Sequence, residues 1–415
     1  MKKKLDPSRE AWMRAAETSA VMDALTSGGG AARFVGGAVR NALLQREVGD
    51  VDIATPLLPQ EVMSRLESAR IRAVPTGIEH GTITATVNGR PFEVTTLRRD
   101  VETDGRHAVV AYSEKWEEDA QRRDFTINAL YASADGELFD FHGGLDDLDL
   151  GHVRFIGDPV ARIREDYLRI LRLFRFHAWY GKGEIDKGAL HAATAERTGL
   201  RRLSGERIQK ELLRLLGAER PCPCLHVMNV AGILAEVIPE AVSLDRLDAL
   251  VAIDAACFFP ADPVLRLAAL TPAVPAVAES VADRLKLSNE HRDRIVDLAG
   301  APENLSPAMP VCELRSLLYR LGTGRIRDRI FLRWSEDKDP SHAIAWRALL
   351  ALAEAWVRPR FPLTGRDVMA AGVPEGPLVG KVLSDVEEWW IANNFTDDGP
   401  SLGERLKTVV QGVVN

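Results

Sequence analysis

In the first 150 residues the spacing of apolar positions changes every few residues. Residues 9–27 carry apolar side chains at helical spacing and stop at Gly28-Gly29-Gly30, which predicts a leading amphipathic helix. The segment ARFVGG then reads as a short strand entering a glycine turn, and Val39 to Leu44 reads as helix. DVDIAT reads as strand and Pro59 to Ser68 as helix. GTITATVNGRPFEVTTL predicts two strands of a hairpin joined at Asn88-Gly89. In the second of these strands Phe92 and Val94 face one way while Glu93 and Thr95 face the other. Mixed elements continue through Phe125–Tyr131 and Glu137–Phe141 to Gly143-Gly144.

After about Asp158 the period becomes helical. ARIREDYLRILRLFRFHAWY places Tyr167, Ile170, Leu171, Phe174 and Ala178 on one apolar stripe of one helix. SGERIQKELLRLL follows, with a cap-like start at Ser204. Beyond Pro221 come Ala/Leu/Val-rich segments punctuated by proline. The predicted class is α+β: a head of residues 1–153 built on a small mixed sheet with helices, an all-α neck of residues 154–220, and a helical body and tail of residues 221–415. The most apolar stretch, Leu265 to Val281, is broken by Pro272 and Pro275, so no membrane span is expected. The N-terminus MKKKLDPSREAW lacks the apolar core of a secretory signal.

Composition narrows this only a little. The 415 residues are 46% hydrophobic and 27% charged, which excludes disordered and collagen-like chains. Aromatics at 6% make wide stacking platforms for single strands unexpected. Cys222, Cys224, Cys257 and Cys312 lack metal-ligand spacing and are expected to be free thiols in a reducing cytoplasm.

Charge changes the picture more. The net −7 divides into −7 over residues 1–153, +6 over 154–220 and −6 over 221–415. A phosphate-rich partner would dock on the positive neck, and its binding would weaken steeply with salt. A solvated arginine-rich helix face would give the same count.

Candidate chemistry begins at Asp50 and Asp52. At i and i+2 of a strand they share a face, and two adjacent carboxylates call for a compensating cation. Oxygen ligands of this kind suit Mg²⁺, which keeps its waters and binds substrate phosphates. D-x-D is a cheap pattern, and Asp147/Asp149 also fit it. The context is less common: Gly36-Gly37 at a helix start offers free N–H groups to an anion, and Arg40 adds a fixed charge. Glu93 is a third available carboxylate. Carboxylates holding Mg²⁺ in this way favour in-line displacement at phosphorus. In RRDFTINAL, Arg123 suits a phosphate fork, and Asp124 and Asn128 could bond sugar hydroxyls or cap a helix. In the neck, Asp166, Arg169, Arg172 and Arg175 recur every three residues as a slanted ridge of charge. Arginines on a helix apolar around much of its girth need partners, and a nucleotide is one.

GGAVRN…GDVDIAT, RRDFTINAL, GGLDDL…RFIGDP, EDYLRILRLFRF and SGERIQKELLRLL resemble, in order and spacing, the successive motifs of class II tRNA nucleotidyltransferases. This family comprises CCA-adding enzymes and bacterial poly(A) polymerases, within the polymerase β-like superfamily. The resemblance covers roughly residues 31–216 and leaves the tail without a motif. It implies that Asp50 and Asp52 hold Mg²⁺, with Glu93 as a third carboxylate. It implies that Gly36, Gly37 and Arg40 touch the triphosphate, and that Arg123, Asp124 and Asn128 contact phosphate and ribose. Asp166 and Arg169 would read the incoming base, with Arg172 and Arg175 supporting triphosphate or pocket. Asn41 departs from the family, which often has Asp after the motif arginine.

That reading fits hydrogen-bond chemistry. Cytosine and adenine each present an amino donor beside a ring-nitrogen acceptor. An aspartate accepts from the first and an arginine donates to the second. Guanine and uracil present the reverse and would leave both side chains unpaired. The activity implied is addition of C, C and A to the tRNA 3′ end from CTP and ATP, with tRNA as the macromolecular partner and no obligate protein partner. The alternatives within the family are poly(A) polymerase and a CC-only or A-only adder. The charged segment Arg98 to Trp116 resembles the flexible loop that CC-only enzymes lack, and the acidic tail departs from the basic tails of poly(A) polymerases. A different class, a non-catalytic RNA-binding protein, would be signalled by loss of a metal carboxylate, and all three are present. A phosphohydrolase in the tail would need a His-Asp doublet, which Glu290-His291-Arg292-Asp293 does not supply.

Overall fold

The computed structural model describes residues 4–104, 107–241, 244–300, 305–396 and 399–414. Gly105, the centre of the charged segment noted above, lies outside them. Nine strands are described: β1 (Arg33–Val35), β2 (Asp52–Thr55), β3 (Arg72–Gly77), β4 (Thr82–Val87), β5 (Arg90–Thr96), β6 (Arg98–Asp104), β7 (His107–Tyr112), β8 (Leu130–Ala132) and β9 (Leu138–Asp140). Seven form one mixed sheet in the order β3-β4-β5-β2-β1-β8-β9, while β6 and β7 pair with each other. Only β2 and β5 run parallel in the large sheet, in the register Asp52↔Glu93. Three helices matter to the head: α1 (Ala16–Thr26), α2 (Gly37–Leu43) and α3 (Pro59–Ser68). Val21, Leu25, Val62 and Leu66 of α1 and α3 are buried together with Phe34, Ile53, Ile83, Phe92 and Val94 of the sheet. Complete burial of such side chains is worth about 1.5–3 kcal/mol each.

Asn88 and Gly89 both have positive φ, 51° and 80°, as a two-residue hairpin turn of the right twist requires. Phe92 and Val94 are buried and Glu93 is exposed, in agreement with the alternation. The leading helix departs from expectation. It breaks at Ala15, whose ψ is 134°, leaving a turn at Ala11–Arg14 ahead of α1. Before the break Trp12 packs edge-on against Phe34 at 4.8 Å.

The neck also departs from expectation. It holds two helices where the stripe suggests one: α4 (Pro159–Glu165) and α5 (Leu168–Tyr180). Asp166 sits between them in extended backbone, φ −155° and ψ 106°. Its carboxylate accepts the Leu168 N–H at 3.1 Å, offering that donor an alternative to a helical carbonyl. Asp166 is thus a junction residue, off the Arg169/Arg172/Arg175 ridge. Gly199 lies against the Tyr167 ring, and a Cβ there would come within 2.0 Å of it. The helix α6 (Gly205–Leu216) follows; its N-cap is Ser204 as expected, but the hydroxyl makes no capping bond.

By compactness the chain divides into two units. One comprises Met1–Ala241 with Asp283–Leu287, so head and neck share a body. The other comprises Val242–Ala282 and Ser288–Asn415, and its described elements are helical. Its cores include a cluster around Trp390, Val382, Val386 and Leu402 and an ionic bridge in which Arg294 joins Asp262 and Asp328. No helix among the described residues is long and apolar enough to cross a membrane.

Candidate active site

An open cleft of about 500 Å³ lies between the sheet end of the head and the neck. Gly37, Arg40, Asn41, Asp50 and Asp52 line one wall; Arg175, Trp179, Tyr180 and Arg214 line the other. Local sequence explains the first wall. Gly36 has φ 68° and ψ −116°, a conformation only glycine enters readily, and it turns β1 into α2. The same turn brings Arg40 back under the strand ends.

Arg40 is buried, and no carboxylate pairs with it among the described residues. Its guanidinium donates to Asn128 Oδ1, to Tyr180 Oη at 2.9 Å and to Asn41 Oδ1 at 3.2 Å. Its Nε is buried without a partner. Burial lowers its pKa, with the Tyr180 oxygen opposing. A buried guanidinium surrounded by neutral acceptors at a cleft wall is a site for an anion.

The acidic group shows the opposite imbalance. Asp52 opens β2, whereas Asp50 precedes the strand in irregular backbone. The shared-face argument therefore applies to Asp52 and its cross-strand neighbour Glu93, not to Asp50 and Asp52. Asp52 is pushed up to about 6, first by burial and then by the charge of Glu93, with Asp50 adding to it and Arg123 opposing it. Among the described residues no three His, Cys, Asp or Glu side chains converge tightly enough to cage a metal unaided. The carboxylates of Asp50 and Asp52 at the cleft wall, with Glu93 opposite Asp52 in the sheet, do fit a hydrated divalent cation that keeps its remaining positions for water and phosphate.

The RRD segment turns inward. Asp119 takes Arg123 at 3.1 Å, Arg122 at 2.7 Å and the Tyr131 hydroxyl at 2.7 Å. Burial alone would raise Asp119; the two arginines and the hydroxyl outweigh it and hold it near 2. Arg123 Nη1 stands 3.7 Å from where a Gly36 Cβ would be, so Arg123 lies behind the glycine turn. Asp124 accepts Asn128 Nδ2 at 3.0 Å, the Phe125 N–H at 2.9 Å and Arg172 Nη2 at 2.5 Å. Burial opposes its charge, but Arg172 and Asn128 hold its pKa well below the usual range. Arg172 also reaches Glu211 of α6 at 3.6 Å, and Glu211 pairs with Arg175 at 2.5 Å, off the hydrogen-bond direction.

One chain of polar contacts thus runs from Arg40 through Asn128, Asp124, Arg172 and Glu211 to Arg175. Both of its ends line the cleft.

Asp166 and Arg169 are not among the cleft-lining residues. Arg169 lies on the same helix as Arg175, about 9 Å earlier at 1.5 Å per residue. Arg169 pairs with Glu165 at 2.5 Å and donates to the Arg162 carbonyl at 2.7 Å; Arg162 in turn donates to the Arg123 carbonyl at 2.8 Å. Arg169 is therefore tied to the RRD segment through Arg162. The sequence reading missed Trp179, Tyr180, Arg214 and Glu211. Tyr180 ends α5 on the face of Phe176, whose ring it stacks on at 5.9 Å, and Glu211 is a carboxylate among the basic residues of α6 whose burial only the closed fold shows.

Comparison with known proteins places the chain. Residues 32–154 match the Poly A polymerase head domain, and residues 184–244 match the probable RNA and SrmB-binding site of polymerase A. The mitochondrial CCA tRNA nucleotidyltransferase 1 of Mus musculus is 35% identical over 90% of this chain and 86% of its own. The CCA-adding enzyme of Levilactobacillus brevis is 30% identical over 92% and 95%. The chain belongs to the CCA-adding tRNA nucleotidyltransferase family. The crystal structure of the Bacillus stearothermophilus CCA-adding enzyme in complex with CTP superposes with a TM-score of 0.69, at 25% identity, over 95% of this chain and 98% of that one. The Thermotoga maritima CCA-adding enzyme complexed with tRNA shares the fold, with a TM-score of 0.67 at 19% identity over 99% of this chain and 97% of that one. The matches to CCA-adding relatives extend into the tail, where no motif was legible.

Proposed function

We propose that the chain adds C, C and A to the 3′ end of tRNA, using CTP and ATP and releasing pyrophosphate. The observation that carries the proposal is the cleft with two complementary imbalances: the Asp52 carboxyl, raised by burial and by the charge of Glu93, and the buried guanidinium of Arg40, which has no ion-pair partner among the described residues. A nucleoside triphosphate with its divalent cation would relieve both at once. The CCA-adding relatives, and the similar CCA-adding enzymes complexed with CTP, ATP or tRNA, support the same reading.

In this scheme Asp50 and Asp52, with Glu93 beside them, bind Mg²⁺. When bound, the ions would activate the RNA 3′-hydroxyl and stabilise the leaving pyrophosphate in an in-line displacement. Gly36, Gly37 and Arg40 cradle the triphosphate from the head and Arg175 from the neck. Asp166 and Arg169 read the pairing edge of the base. Asp124, Asn128 and Arg172 are spent on one another, so they act as positioning residues that hold Arg40 and Arg175 apart. The basic neck binds tRNA through its backbone, with an affinity that falls with salt. The four free thiols suit a reducing compartment, the cytoplasm.

The experiment is nucleotide incorporation on tRNA ending before C, before CC and before A, with CTP alone, ATP alone and both. Full CCA addition is expected. Long A tails from ATP alone would select the poly(A) reading, and arrest after CC would select the partial adder.

A further inference from the structure

The two base-reading candidates are opposite charges three residues apart, and each is held by a different partner. Arg169 is held locally by Glu165, four residues before it. Asp166 is held from elsewhere. Arg207, in the first turn of α6, donates from Nη2 to Asp166 Oδ2 at 2.7 Å. The other Asp166 oxygen accepts the Leu168 N–H at 3.1 Å. Each carboxylate oxygen has two acceptor positions. Two bonds to two different oxygens fix the plane of the carboxylate and leave one acceptor position free on each. Both side chains of the Arg207–Asp166 pair are about one-quarter exposed, so the free positions remain reachable.

We propose that Arg207 is a positioning residue for base selection: it fixes the Asp166 carboxylate as an acceptor for the amino group of C or A. This rests on the reading of Asp166 and Arg169 given above. Without Arg207 only the Leu168 N–H holds the Asp166 carboxylate, which is then free to turn toward the Arg169 guanidinium at the start of the following helix. That collapse would cancel the acceptor and the donor together, and C and A would lose their advantage over U and G. Arg172, whose own pKa is raised partly by Asp166, supplies a second cation nearby and would favour the same loss of orientation. Arg207 is thus the contribution of α6 to specificity, as Glu211 is its contribution to Arg175.

The test is single-nucleotide incorporation by the full chain, with kcat/KM for CTP against UTP and ATP against GTP. Arg207→Met keeps the apolar stem and removes the charge; Arg207→Lys keeps the charge. In R207M the preference for CTP over UTP is expected to fall by at least about tenfold, within the large discrimination that buried hydrogen-bonding sites provide. R207K is expected to recover most of it. A uniform loss with all four nucleotides and unchanged ratios in R207M would overturn the proposal, because a merely structural tie moves rates and not selectivity. If R207M does not fold, R207K decides through the same ratios: preference at or near the parent's supports the proposal, and loss of preference equal to that of Asp166→Ala overturns it. Asp166→Ala run in parallel separates the two claims. Collapsed selectivity there with intact selectivity in R207M sinks only the role of Arg207; intact selectivity in both sinks the base-reading assignment as well.

Discussion

The acidic wall of the cleft and the polar chain behind it contain the same kinds of side chain and differ in their balance. At the wall, Asp52 faces the like charges of Glu93 and Asp50 and is pushed up to about 6. Behind it, Asp119 and Asp124 each have arginine partners and are held low. Arg40 is buried among neutral acceptors, whereas Arg172 lies between Asp124 and Glu211. In the proposed function, the groups left unbalanced are those that meet the ligand. Groups balanced internally set the distances at which the ligand is met.

The largest expected effect comes from the unbalanced side. Asp52→Asn should lower incorporation by roughly 10³-fold, on the scale of removing one preorganised electrostatic group. It should leave the unfolding midpoint unchanged or raised, because it removes a like charge. A primer-extension rate paired with a melting curve checks both, and an Asp52→Asn variant that melts well below the parent would contradict the contrast.

The balanced side should respond the other way. Glu211→Ala strands Arg175 and weakens the hold on Arg172, and breaking a buried pair in this way costs about 3–5 kcal/mol. Denaturant unfolding should show the head-and-neck transition moved to lower denaturant, with activity lost alongside it. A change under about 1 kcal/mol would mean that the polar chain does not hold the neck.

Titration sharpens the contrast. Asp52 binds its proton more tightly folded than unfolded, where its pKa is about 4. Its favourable share is therefore present below pH 4 and lost as pH rises through about 6. Asp119 has the opposite sign: its contribution is present above about 4 and lost as pH falls through about 2. The difference in melting temperature between Asp52→Asn and the parent should thus grow from pH 4 to pH 6.5 and then level off. Added Mg²⁺ at pH 7 should narrow it by stabilising the parent; a flat difference across that range would remove the assigned shift.

The smallest effect is expected at Asn41. Its Oδ1 accepts from Arg40 and Tyr180, and its Nδ2 donates to the Glu47 carbonyl at 3.1 Å. Asn41→Asp gives up the last bond and gains charge beside Arg40, so kcat/KM should change by no more than about threefold. A large gain would mean that Arg40 needs a carboxylate after all.

Local sequence was enough for elements whose cause is local. Asn88-Gly89 fixed the hairpin through backbone handedness, and the alternation around Glu93 fixed which face it presents. Pro59–Ser68 was legible from end to end. The break at Asp166 was not, because the apolar stripe runs through it unbroken and the competing bond to Leu168 N–H belongs to one side chain. Asp50 looked like a strand residue because its spacing from Asp52 is two, but strand pairing begins only at Asp52.

What the sequence by itself determined is the order of motifs, the small mixed sheet followed by helices, and the residue types that a phosphoryl transfer needs. Those follow from periodicity, turn chemistry and charge, all of which act over a few residues. Which carboxylate would be left without a cation, that Arg40 would meet Tyr180 across 140 positions, and that α6 would supply Glu211 to Arg175 and Arg207 to Asp166 were decided only when the chain closed on itself. Ion pairing and desolvation depend on distance in space, and separation along the chain carries almost no information about it.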